Sequence, residues 1–209
     1  AYRRKGYLIP EAGRTARGSN IVNILPLESG ERVTAMIHTR ELNDDVFLFM
    51  ITRNGTVKRI ASASLKNIRT TGIRALNLDE GDELISVRET DGNQNILLMT
   101  HNGASICFRE SDVRCMGREA VGVRGIKLRE GDYVVAGVRA IEGQTLLAIT
   151  ENGYGKRTEI AEYLRGDGPQ SRGGFGMRGY QVTEKTGPIA GAKVVTGEED
   201  ILLISDDGT

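Results

Sequence analysis

Apolar runs recur along the chain at a nearly fixed interval. VFLFMI occupies 46–51, ILLMT 96–100, LLAIT 146–150 and ILLIS 201–205. Each leads to a turn dipeptide: Asn54-Gly55, Asn102-Gly103, Asn152-Gly153 and Asp207-Gly208, with the glycines 48, 50 and 55 residues apart. Asn-Gly and Asp-Gly between extended runs predict β-hairpins closed by type I′ turns, which need positive φ at both central residues.

A second, polar-alternating strand follows each of the first three turns: TVKRI, ASICF and YGKRT. A short corner comes next (SASL 62–65, ESDV 110–113, AEYL 161–164), then a basic loop with glycine (NIRTTG, MGREAVG, QSRGGFG). The unit closes with an acidic turn and another strand, LNLDEGDELISV at 76–87, IKLREGDYVVAGV at 126–138 and the looser YQVTEKTGPIAGAKVV at 180–195. Residues 1–50 fit the same frame: AYRRKGYLI as a second hairpin arm, GRTARG as a basic loop, and LPLESGERVTAMI as an acidic turn with its strands. The repeat units are approximately 1–50, 51–99, 100–149 and 150–209. A period near 50 with four strands per unit predicts an all-β, propeller-like array of about four four-stranded blades. No window of 11 residues keeps the i, i+3, i+4, i+7 apolar face of a helix. The chain opens just after a hairpin turn and stops at one, as expected of a fragment of a longer array.

Charge changes the picture. The totals cancel, with 28 Lys+Arg and 28 Asp+Glu. Yet the parts running from second hairpin arm through basic loop (1–20, 51–74, 101–129, 156–178) hold 22 basic and 7 acidic residues, leaving 6 and 21 for the rest. In a radial array equivalent positions point the same way, so this phase predicts a continuous basic band. A band of that kind is the footprint of a polyanion binder and suits bent duplex DNA held through its phosphates. The candidate phosphate contacts are Arg3, Arg4, Lys5, Arg14, Arg17, Lys58, Arg59, Arg69, Arg74, Arg114, Arg118, Arg124, Lys156, Arg157, Arg172 and Arg178.

Several chemistries find no support. Two cysteines, Cys107 and Cys115, make no disulfide scaffold and fit a reduced, cytoplasmic protein. With only His38 and His101 beside them there is no zinc-ligand spacing. Both histidines read as solvent-facing. GFGMRG at 174–179 satisfies the dinucleotide pattern, but GDGPQSRG precedes it and strand-like YQVTE follows, where a strand and a helix are needed. NGYGKRT reads as a hairpin turn and a basic strand, not a P-loop. No nucleophile–base arrangement or catalytic tyrosine is evident, and no run of 18 apolar residues could span a membrane.

IPEAGRTARGSNIVNILPLESGERVTAMI, NGTVKRI, IRTTGIRALNLDEGDELISV, ESDVRCMGREAVGVRGIKLREGD and TENGYGKRTEIAEY together span most of the sequence. They resemble the C-terminal domain of the DNA gyrase A subunit, with topoisomerase IV holding a close relative of that domain. The resemblance implies a β-pinwheel whose blades exchange strands, usually six in number, with a basic outer rim that wraps duplex DNA. The chain would then be a single pinwheel domain fragment over 1–209. Its partners would be duplex DNA, the gyrase B subunit, together with the rest of the gyrase A subunit; its place would be the nucleoid. ATP and magnesium would act elsewhere in the enzyme, with no cofactor in this domain. The family's first-blade box, Gln-Arg-Arg-Gly-Gly-Lys-Gly, is expected upstream of Ala1. A degenerate copy, QSRGGFG, keeps Gln170, Arg172, Gly173, Gly174 and Gly176, with Ser171 and Phe175 replacing two cations. Two alternatives stand beside the gyrase reading. One is a topoisomerase IV domain that steers substrate choice; the other is a propeller scaffold whose acidic turns bind a protein.

Overall fold

The structure of the protein, a computed structural model, describes residues 1–39, 41–166 and 168–204. Eleven strands form among them: β1 Phe47–Thr52, β2 Thr56–Ala61, β3 Leu84–Thr90, β4 Asn95–Thr100, β5 Ala104–Arg109, β6 Val123–Arg124, β7 Val134–Arg139, β8 Thr145–Thr150, β9 Gly155–Glu159, β10 Met177–Arg178 and β11 Ile189–Val195. The predicted corners are single 3-10 turns at Ser62–Leu65, Glu110–Asp112 and Ile160–Tyr163.

Three hairpins form where the Asn-Gly signals stand: β1–β2, β4–β5 and β8–β9. The turn type differs from the expectation. Gly55, Gly103 and Gly153 have φ of +82°, +84° and +79°, but among the described residues no non-glycine has positive φ, so these are not type I′ turns. Each is a three-residue loop, a turn from threonine to glycine followed by a left-handed glycine bulge. The reason is the threonine at the end of the first arm. Its carbonyl accepts the glycine N–H, and its buried Oγ1 accepts the next N–H: Thr52 from Thr56, Thr100 from Ala104, Thr150 from Tyr154. Asp82 and Asp132 complete two of these turns. Their Oδ1 atoms accept the N–H of Asn54 and Asn102 at 2.9 and 3.0 Å.

On its other side the first hairpin arm pairs with the strand after the acidic turn: β1 with β3, β4 with β7, β8 with β11. The fourth strand is borrowed. β6, from the unit of β4 and β5, pairs with β2 through Val57↔Val123 and Thr56↔Arg124. β10 in turn pairs with β5 through Ser105↔Met177 and Ala104↔Arg178. The sheets are therefore β3-β1-β2-β6 and β7-β4-β5-β10, with a three-stranded β11-β8-β9.

The sheets pack face to face. β4 lies in the middle one and is buried on both sides, so its run reads as continuously apolar. The strand period of two divides it. Ile96 and Leu98 join Phe49, Ile51, Val57 and Phe108, whereas Leu97 and Met99 join Leu146, Ala148 and Tyr163. At Gly137 the sheets approach so closely that a Cβ there would stand 2.1 Å from Ile51 Cδ1.

The first and last expected strands do not form. Residues 1–39 contain only 3-10 turns at Gly6–Leu8 and Ile21–Asn23, and 201–204 have no strand pairing. A strand needs a hydrogen-bonded neighbour, and among the described residues the backbone of the arm beginning at Ala1 bonds outside itself only to Ile73. That one contact repeats the exchange. Ala1 and Ile73 trade reciprocal bonds of 2.8 and 2.9 Å, and Ile73 follows Gly72 as Val123 follows Gly122. The Asp207-Gly208 turn lies outside the described residues.

Candidate nucleic-acid interface

Three tripeptides hold equivalent places: Gly72-Ile73-Arg74, Gly122-Val123-Arg124 and Gly176-Met177-Arg178. In each, the glycine has positive φ (+82°, +118° and +71°); Gly122 and Gly176 lie against the strands that receive the exchange, β2 and β5, and Gly72 lies against the Tyr2 ring. A Cβ on Gly176 would stand 2.1 Å from the Ser105 carbonyl oxygen, so only glycine fits. The middle residue is half-buried, and strand alternation then turns the arginine outward. Arg74, Arg124 and Arg178 are all exposed, and none forms an ion pair among the described residues. The structure thus presents one exposed guanidinium outside any ion pair at the same position in three successive units, with Arg74 Nη1 donating to Asn77 Oδ1 at 3.5 Å.

The other candidates separate into groups. Arg14, Arg17, Arg69 and Arg114 are exposed on loops. Arg3, Arg4 and Lys5 are exposed too, but Arg3 Nη1 donates to Lys66 O at 3.3 Å and Arg4 Nε to Ile24 O at 2.9 Å. Beside them, Tyr2 donates to Glu31 at 2.7 Å, and this bond pushes its hydroxyl pKa up to about 12. Arg118 is half-buried.

Lys58 and Arg59 require correction as phosphate contacts. Lys58 is fully buried; its Nζ donates to Ala75 O at 2.9 Å and to Arg118 O. Loss of solvent, and secondarily the Arg118 charge, lower its pKa. Strand β2 is covered on this side by the incoming 116–122 loop, which turns the expected outward position into an interior one. The Arg59 side chain is 12% exposed, 3.8 Å from the buried Glu110 carboxylate and stacked over the Phe47 ring at 4.7 Å. Lys156 holds the same repeat position as Lys58. It and Arg157 are exposed on β9, which has no fourth strand among the described residues, so the pair is weaker support for a band than the Gly-X-Arg arginines.

The box-like loop is a clamp between units. Gln170 N–H donates to Cys107 O at 2.7 Å, Gly173 N–H to Gly125 O at 2.6 Å, and Lys127 N–H to Gly174 O at 2.8 Å. Arg172 is half-buried; its Nε donates to Asp112 O and its Nη1 to Arg124 O, both at 2.9 Å. Its guanidinium therefore braces the loop that bears Arg124, in place of the free phosphate contact expected of it. Gly174 is exposed and Gly176 is the exchange glycine described above.

Three residues escaped the sequence reading. Phe175 is 43% exposed and has Lys127 Nζ at 4.7 Å and Arg129 Cζ at 5.1 Å from its ring centre. The signal was available by setting IKLREGD beneath LNLDEGD, which puts Lys127 and Arg129 where the preceding unit has Asn77 and Asp79.

His101 is not solvent-facing. Its side chain is 17% exposed, its Nδ1 lies 3.2 Å from Ile189 O, and its ring stacks on Tyr133 at 4.4 Å. Arg53 covers Tyr133 at 3.5 Å. These side chains, with the Ile189 carbonyl, form a seam across three units. Cys107 is buried, which pushes its thiol up to about 12, and Cys115 is exposed. Among the described residues no cluster of three His, Cys, Asp or Glu is placed to hold a metal, and no helix is long and apolar enough to cross a membrane.

Comparison with known proteins agrees with this architecture. The sequence model of a family described as "DNA gyrase C-terminal domain, beta-propeller" matches residues 1–40, 47–91, 94–140 and 144–196. The DNA gyrase A subunit of Clostridium acetobutylicum is 49% identical over 207 residues, covering 99% of this chain and 24% of that protein. Its counterpart in Escherichia coli (strain K12) is 44% identical over 208 residues, covering 100% and 23%. The chain thus spans about a quarter of the length of these curated relatives. A crystal structure of the C-terminal domain of DNA topoisomerase IV superposes with a TM-score of 0.76 at 29% identity, over 85% of this chain and 55% of that one. A DNA gyrase A C-terminal domain structure gives 0.75 at 28% identity, over 86% and 59%. With its strand-exchanged sheets and four successive matched segments, the chain belongs to the DNA gyrase C-terminal domain family of β-propellers.

Proposed function

We propose that this chain binds duplex DNA without sequence preference and bends it, as the C-terminal domain of a DNA gyrase A subunit. The single observation that carries this reading is the row of exposed arginines Arg74, Arg124 and Arg178 at one repeat position, outside any ion pair among the described residues, the last two on the exchanged strands β6 and β10. Loop cations Arg14, Arg17, Arg69 and Arg114 extend it. Phosphates are met by guanidinium groups, which position the duplex without reading bases. Smoothly bending a 20–30 bp site costs on the order of 1–6 kcal/mol, so several contacts must act together. In the holoenzyme, which joins the whole gyrase A protein to gyrase B, the bent segment is presented for ATP-driven strand passage and negative supercoiling in the cytoplasm, at the nucleoid. The domain itself carries no cofactor and performs no strand passage alone.

The test is fluorescence anisotropy with a ~40 bp duplex across a salt titration. The wild type should give a steep negative slope of log K against log salt. Arg74→Glu, Arg124→Glu and Arg178→Glu together should flatten it by about 2.7, from about 0.9 per neutralised phosphate. An unchanged slope and affinity would refute this placement of the band. The likeness in fold to a topoisomerase IV C-terminal domain, at a TM-score of 0.76, supports a second reading, a topoisomerase IV-type domain that steers substrate choice. It predicts binding with weak bending. A flat slope with no binding at low salt would point to a protein scaffold instead.

A further inference from the structure

The two unit junctions formed by the exchanged strands β6 and β10 differ in charge and in aromatic character. Where β6 enters, the residue before the exchange glycine is Val121, and the acidic turn of the preceding unit offers Asn77 and Asp79. Where β10 enters, the same positions are Phe175, Lys127 and Arg129. A neutral and an anionic side chain have become two cations, and an aliphatic side chain has become an aromatic one. The ring is exposed, while its backbone is held by the bonds from Gly173 to Gly125 and from Lys127 to Gly174 and by the Arg172 brace. Arg178 stands three residues further on, across a cleft of about 240 Å³ that Phe175, Arg129, Arg178 and Asn102 help to line.

We infer that Phe175 is a DNA wedge: it inserts its ring between two base pairs of the bound duplex and kinks it at this single junction. The inference rests on the DNA-binding reading above and goes beyond it, because a basic band alone predicts a smooth curve. Aromatic and aliphatic wedges framed by cations unstack base steps in this way and are offset by the extra contacts a kink allows. Lys127 and Arg129 now lie over the ring. A phosphate is a stronger partner for an ammonium or guanidinium than an aromatic face in water, so approaching DNA draws both side chains aside onto the strands and frees the ring. At the other junction Asp79 would repel the phosphate and no cations frame Val121, so of these two junctions only the one at β10 makes the kink.

Permanganate oxidation of thymines tests this, because it reports unstacked bases in whatever register the protein sits. The full chain is bound to a ~40 bp duplex with several TA steps, which kink most easily. Wild type should raise thymine reactivity at such steps by about five-fold or more over free duplex, as partial unstacking requires. Phe175→Ala should abolish this and lengthen the end-to-end distance read by energy transfer, while binding with a steep salt slope persists because the ring itself neutralises no phosphate. Phe175→Trp should retain the reactivity. Wild type binding with a steep salt slope but no added reactivity would overturn the wedge and leave the DNA-binding reading intact. Reactivity that persists in Phe175→Ala would overturn the assignment to this residue. Absence of any DNA binding would overturn both readings together.

Discussion

Replacing Lys58 by methionine separates an interior lysine from a phosphate contact. The Nζ donates to two carbonyls, Ala75 O in its own unit and Arg118 O in the next. Hydrogen bonds from a charged donor contribute about 1.5–3 kcal/mol each, and an acceptor left unpartnered away from water costs about 1–3 kcal/mol. Against this stands the cost of burying the ammonium, the largest cause of its lowered pKa. The net expectation is a loss of about 2–4 kcal/mol, read as a lower urea midpoint by circular dichroism of the full chain. Because Lys58 is buried, the salt slope of DNA binding should not change. A pH series adds a signed check. Lys58 releases its proton at lower pH when folded than when unfolded, where its pKa is 10.5. Between the two the unfolded chain binds more protons, so the stability of wild type relative to Lys58→Met should rise with pH through that window and be flat below it. An unchanged midpoint with a salt slope flattened by about 0.9 would refute the reasoning, since it would put the ammonium on a phosphate.

The turn threonines give a second expectation: Thr100→Val keeps the shape but removes the acceptor for Ala104 N–H, and should lower stability by about 1–3 kcal/mol in the same urea assay. Gly176→Ala should cost more than Gly153→Ala. Both glycines have positive φ, worth about 1 kcal/mol, but only Gly176 faces the Ser105 carbonyl at contact distance, adding about 2 kcal/mol or more of steric strain. Of the two cysteines, only the exposed Cys115 should react with a thiol reagent in the folded chain near about pH 8, and Cys107 should join it only on unfolding. Equal labelling of both in the native state would contradict the burial of β5.

The hairpins, corners and repeat period are legible because each is local. An apolar run, a glycine that must take positive φ and a following polar arm lie within a dozen residues. The exchange was not derivable from pattern alone. β6 and β10 are two residues long, too short to leave a period, and their partners lie more than 60 residues away. The same cause hid the fate of Lys58. Alternation along TVKRI assigns faces correctly, but which face is covered depends on a loop from the next unit. For His101 the partner is Tyr133, fixed by the acidic turn rather than by neighbours in sequence. Turn type was misread for a local reason: the buried threonine three residues before the glycine supplies a second acceptor that a type I′ turn does not use.

The neutral total and the cationic face have one origin. A tight turn exposes backbone N–H groups, and only an acceptor can satisfy them. Carboxylates do so throughout the chain: Asp82 receives Asn54 and Glu83 N–H, Asp132 receives Asn102 and Tyr133, Glu110 receives Gln94, and Glu31 receives Glu28. Gln94 and Asn93 donate to Asp91, whose pKa these bonds lower, the Gln94 side chain first. Lysine and arginine have no acceptor to offer and cannot hold these positions. These acids are held at turns by backbone donors, while most of the 28 stay exposed. The three ion pairs among the described residues all involve residues at unit seams, Arg53, Arg59 and His101, and none involves the Gly-X-Arg arginines. A chain with equal numbers of each sign can thus keep the two apart, because turn N–H groups favour acids at the turns and leave the Gly-X-Arg positions to cations.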